Sequence, residues 1–146
     1  MSRLLVDPDQ IRAFAAAILR YASSGAIISL RTFDEGTDKT LSIRPVRING
    51  DGLTPVIDAA IQQAQFAADH SRQAVFCPPL AGFASETNAR EIDLIEGYVL
   101  TAECDQSPQA ARQRLEALLG RATMVVESGG FWLDPATGET QPKQHL

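Results

Sequence analysis

The chain has 146 residues, 45% of them hydrophobic, enough for one soluble domain with a core of its own. Its formal net charge of -5 at pH 7 excludes a surface that coats nucleic acid throughout, while leaving room for a local basic groove. Two cysteines, Cys77 and Cys104, stand in unrelated contexts and exclude a disulfide framework or zinc finger; no apolar run reaches membrane-spanning length, so the expected setting is cytoplasmic with no membrane partner.

Three helices are predicted from the same punctuation, a capping residue followed by proline: Asp7-Pro8, Thr54-Pro55 and Ser107-Pro108. The first, from about Pro8 to Ala22, places Ile11, Phe14, Ala15, Ile18 and Leu19 on one face, with Gln10 as a capping-box partner of Asp7. Strand candidates Ala26 to Phe33 and Leu41 to Ile48 flank the polar stretch Asp34 to Asp38 and read as a hairpin. The second helix, from about Pro55 to His70, turns Ile57, Ala60, Ile61, Ala64 and Ala67 to one side. A short strand, Ala74 to Phe76, runs into Cys77-Pro78-Pro79, and Leu80 to Arg90 has no convincing period and reads as a mobile loop.

Gly97 to Cys104 is the next strand candidate. Its centre of interest is Tyr98 to Asp105, where β-strand alternation turns Tyr98, Leu100, Ala102 and Cys104 one way and Val99, Thr101, Glu103 and Asp105 the other. The third helix, from about Pro108 to Leu119, is expected to bury Ala111, Leu115, Leu118 and Leu119, to expose Arg112 and Arg114, and to stop at Gly120. Thr123 to Glu127 is the last strand candidate, and Asp134-Pro-Ala-Thr-Gly138 marks a turn in a terminal hairpin. The whole reads as a single domain, residues 1–146, of α+β (mixed α/β) class, with helices packed on a mainly antiparallel or mixed sheet.

Glu103 and Asp105 are the first candidate site. Two carboxylates on one strand face repel unless a positive charge lies between them, and a divalent metal serves that purpose. The alternative is that Asp105 turns the chain over the start of a helix while Glu103 pairs with an arginine across the sheet. Val125 to Gly130, ending Ser128-Gly-Gly, is the second candidate: a phosphate-approaching loop or an ordinary turn. His145 beside Lys143 is the third, open to reading as a solvated terminal histidine, and His70 reads as a charge at a helix end. Cys104 reads as a small core residue, and Trp132 as a sheet cover or a platform for a base.

Together Phe76-Cys77-Pro78-Pro79, Glu103-Cys104-Asp105 with Pro108 beyond, Val126-Glu-Ser-Gly-Gly130 and Trp132 to Gly138 before Pro142-Lys-Gln-His145 resemble the RepB-like DNA primases of bacterial plasmids and mobile elements. These are members of the archaeo-eukaryotic primase superfamily, and the resemblance runs from about Ser29 onward. It implies a partial primase-like fold and a template-directed nucleotidyltransferase of DNA replication. Its partners would be a nucleoside triphosphate and a single-stranded DNA template. Glu103 and Asp105 would hold magnesium or manganese, with glutamate where aspartate is common. Ser128, Lys143 and His145 would contact the nucleotide's phosphates, His145 among the catalytic residues.

The family's third motif, an apolar residue and an aspartate, lies downstream of that histidine, whereas this sequence ends one residue after His145. Leu133-Asp134 has the right letters but precedes His145, within a turn signal. The resemblance therefore implies a domain truncated before its third ligand, with weak or absent metal binding and little activity alone. It also leaves a sheet edge near Leu146 open to self-association. Two other readings stand beside it. One is a nucleic-acid-binding or protein-interaction module using Arg31, Arg44, Arg47 and Lys143; the other is a metal-dependent nuclease using Asp93, Glu103 and Asp105.

Overall fold

The computed structural model describes residues 5–37, 39–50, 52–70, 73–77, 80–87 and 89–146, with Ser128 described by its backbone only. Asp38, Pro78 and Pro79, which figured in the sequence reading, lie outside these residues. The class is α+β: three helices with two antiparallel sheets. The chain divides into two compact units, residues 1–99 and 100–146. No helix among the described residues is long and apolar enough to cross a membrane.

In the first unit, α1 (Pro8–Ile18) starts where the Asp7 carboxylate accepts from the backbone N–H groups of Asp9 and Gln10 at 3.0 and 3.2 Å. It stops four residues before the expected Ala22. β1 (Ile27–Asp34) and β2 (Thr40–Arg47) form the expected antiparallel hairpin, and the Asp34 carboxylate accepts from Gly36 and Thr37 N–H within the turn. Pro45 is tolerated because β2 is an edge strand. α2 spans Thr54–Asp69. β3 (Ala74–Cys77) pairs with the end of β1, and β4 (Ala81–Phe83) meets its start at Ile27 and pairs on its other side with β5 (Leu94–Gly97). β4 lies inside the stretch expected to be loop, and a single 3-10 turn at Glu91–Asp93 follows that stretch. A three-residue strand with glycine at its centre is too short to show a period.

Leu30 and Ile28 are fully buried on the sheet face that meets the helices. They join Ala15, Ile18 and Leu19 of the first helical segment and Val56, Ala59 and Ala60 of α2 in one cluster. Burial in α2 is shifted from the expected stripe: Val56, Ala59, Ala60 and Gln63 are buried, whereas Ile57 is half-buried at the margin. Gln63 is admitted because its side-chain carbonyl accepts from the buried Thr32 hydroxyl at 3.1 Å. Thr54 and Ser107 do not cap as expected; Thr54 lies within α2, and Ser107 takes a left-handed conformation with φ 44 and no side-chain cap bond.

A polar cluster ties β5 to the end of the first helical segment. The Glu96 carboxylate accepts from Ser23 N–H at 2.9 Å, from its hydroxyl at 2.7 Å, and from the Tyr98 hydroxyl at 3.1 Å. The Ser23 bonds hold Glu96 below the usual carboxylate range, and burial followed by the Glu96 contact pushes Tyr98 up. A carboxylate lowered on folding stabilises the protein above its unfolded value and loses that contribution as pH falls through the folded value. The Glu96→Gln variant is accordingly expected to lose part of the acid-limb slope in urea midpoint against pH, below about the ordinary carboxylate pKa near 4.

The stretch from Tyr98 to Asp105 is not one strand. β5 closes the first sheet at Gly97, Tyr98 N–H still reaches Leu80 carbonyl at 3.0 Å, and only β6 (Glu103–Cys104) belongs to the second sheet. Between them Leu100 is 90% exposed, so the expected alternation over the full run fails where the chain passes from one sheet to the other. In the second unit, α3 (Pro108–Leu119) ends as expected at Gly120, whose φ is 87. Leu118 and Leu119 are exposed rather than buried. Arg112 is half-buried and pairs with Glu116 at 3.1 Å, a contact that, with the Ala122 N–H, lowers the Glu116 carboxyl. β7 (Val126–Leu133) and β8 (Thr140–His145) form the terminal hairpin around Asp134, and the sheet order is β6-β8-β7.

Candidate functional site

The second sheet gathers four of the sequence-predicted site residues. β8 is its middle strand, and Gln144 and His145 near its end have register partners on both sides. His145 is the register partner of Glu103 on β6 and of Val126 on β7. Ala102 and Leu146 exchange both backbone hydrogen bonds, at 3.1 and 3.0 Å, so the next pair along, Glu103 and His145, is of the non-hydrogen-bonded kind. That spacing brings facing Cβ atoms to roughly 4.5–5.5 Å. One residue beyond the end of β6 and two back along β8 from His145, Lys143 Nζ lies 3.7 Å from Asp105 Oδ1.

Strand alternation turns Cys104 and its partner Gln144 to the other side, where both are buried, and α3 lies against β6 and β8. Glu103, Lys143 and His145 share the opposite face, and Asp105 joins them through its contact with Lys143. Glu103 and Asp105 are exposed, and Lys143 and His145 half-buried. Leu146 is paired to Ala102, so the end of β8 is interior to the sheet, whose edges are β6 and β7.

The Ser-Gly-Gly segment joins this face through a bulge. Glu127 pairs with Gln144 and Phe131 with Pro142, so Ser128, Gly129 and Gly130 together oppose the single residue Lys143. Gly129 has φ 83, a conformation that disfavours a side chain. A Cβ on Gly130 would stand 3.0 Å from Lys143 Cδ, so the missing side chain makes room for the lysine stem. Gly130 was given no such task in the sequence reading, although a doubled glycine inside a strand is itself a bulge signal. Gln141, also unassigned there, accepts through its side-chain carbonyl from Gln109 N–H in the first turn of α3, at 3.3 Å.

The chain matches no family model, no curated protein and no solved structure. The geometry alone bears on function.

Among the described residues, no group of three or more His, Cys, Asp or Glu side chains is arranged to hold a metal ion. The cation against Asp105 is the Lys143 ammonium. The remaining candidates are dispersed. Asp93 belongs to the first unit and pairs with Arg90 at 3.5 Å. Arg31 donates to Ser29 Oγ and the Ala89 carbonyl, Arg44 to Gln62, and Arg47 to the Gly25 carbonyl and Glu86. By register Arg44 shares the face of its partner Leu30, toward the helices, while Arg31 and Arg47 lie on the other. These arginines are thus divided between faces, and each donates to neighbours within the fold. His70 caps α2 with its ring 5.6 Å from Phe66. Trp132 is half-buried opposite Gln141.

Proposed function

We propose that this chain is a primase-like nucleotidyltransferase domain, related to those that replicate plasmids and mobile elements, whose second sheet receives the phosphates of a nucleoside triphosphate. The observation that supports this reading is the β6–β8 register. Residues 42 positions apart in sequence, Glu103 and His145, become direct neighbours, with Lys143 beside Asp105 and the glycine bulge adjoining them. Sequence motifs that were separately suggestive thus come together on one sheet.

Chemically, an ammonium and an imidazole supply N–H donors to phosphate oxygens, and the small residues of the bulge let a ligand approach the backbone. In-line phosphoryl transfer asks for more: its charge must be neutralised at both attacking and leaving oxygens. Two carboxylates without a third ligand among the described residues do not provide that, so this chain binds and orients nucleotide with little or no primer synthesis of its own.

The test is calorimetric titration of ATP, with and without manganese, together with a primer-synthesis assay on single-stranded DNA. ATP is expected to bind the native chain, and His145→Ala to weaken binding about tenfold, the loss of one charge-assisted hydrogen bond. Absence of ATP binding under both conditions would overturn the reading. Robust primer synthesis would overturn the expectation of low turnover.

A further inference from the structure

We propose that Lys143 takes the place of a divalent ion on this face, so that triphosphate is held by the protein's own ammonium and binding requires no metal. The proposal rests on the nucleotide-binding reading above and concerns the source of its positive charge.

Three observations carry it. Asp105, one of two carboxylates expected to ligate metal, has the Lys143 ammonium 3.7 Å away. No three-ligand cluster forms among the described residues. The lysine is also braced: three residues of β7 face it where a regular ladder would have one, and Gly130 leaves a space that a Cβ would close to 3.0 Å from its Cδ. With its side chain only 34% exposed, Lys143 is positioned on the sheet rather than extended into solvent.

The electrostatics follow. A divalent ion at Asp105 would sit against a fixed positive charge and be repelled, whereas a triphosphate meets a cation already in place. Asp105 then competes with the phosphate for Lys143 instead of recruiting a metal for it. This inverts the sign expected for removing the Asp105 charge.

ATP is the probe, titrated calorimetrically into the full chain with EDTA and again with manganese. The native chain is expected to bind in EDTA as tightly as in manganese, and Lys143→Met to weaken binding about tenfold or more. Lys143→Arg, which keeps the charge, should retain binding, and unchanged far-ultraviolet circular dichroism shows that the variants fold. Asp105→Asn should strengthen binding in EDTA. If ATP binds only with manganese and Asp105→Asn abolishes it, the ion is a metal and this proposal is overturned while the nucleotide reading stands. If ATP binds under neither condition, both fall.

Discussion

Leu30→Ala is expected to destabilise the first unit by about 2–5 kcal/mol. Leu30 lies near the centre of β1, has no exposed surface, and belongs to the cluster that includes Ile18, Leu19, Val56 and Ala59. Truncation loses the transfer free energy of the buried methyl groups and leaves a cavity that strand pairing prevents from collapsing, because β1 is bonded to β2 on one side and to β3 and β4 on the other. The check is urea unfolding followed by circular dichroism, with a lower midpoint and an unchanged slope as the outcome. Ile43, half exposed on β2, is the control; its truncation to alanine should cost far less.

Gly82→Ala is the second change of large effect, expected to cost about 1–3 kcal/mol by overpacking. Gly82 is buried in β4 opposite Glu96, and a Cβ there would collide with the Tyr98 hydroxyl while lying 3.1 Å from Ala26 Cβ and 3.2 Å from Glu96 Cγ. The ring of Tyr98 has to swing away, which also breaks its bond to Glu96. A double-mutant cycle isolates this cause. In a Tyr98→Phe background the colliding oxygen is gone, so the same Gly82→Ala substitution should cost measurably less. Equal costs in both backgrounds would place the strain elsewhere, at Ala26 or in the β4–β5 bulge.

Much of the fold was legible because local signals suffice where periodicity is strong. Proline at the first helical turn marked all three helix starts to within a residue, and Gly120 marked the end of α3. The β1–β2 hairpin was readable from polar residues between two β-branched runs. Less legible was which helix face is buried. Leu118 and Leu119 follow the apolar spacing of α3, yet both are exposed, and burial in this helix falls on Pro108 in its first turn. The stripe of α2 shifted because the hydrogen bond from Thr32 drew Gln63 inward, a partner that no window around Gln63 contains.

The candidate site divides in the same way. By itself, the sequence determined which groups were available: two acids two residues apart, a serine before two glycines, and a lysine two residues from a histidine. It also determined that Cys104 would turn away from the acids, since adjacent strand residues must face opposite sides. Only tertiary structure decided that Glu103 stands opposite His145 and that Lys143, not a third carboxylate, approaches Asp105. Register is the reason. It is set across strands by the hairpin at Asp134 and the bulge at Ser128 to Gly130, and a one-residue slip would send every one of these side chains to the other face.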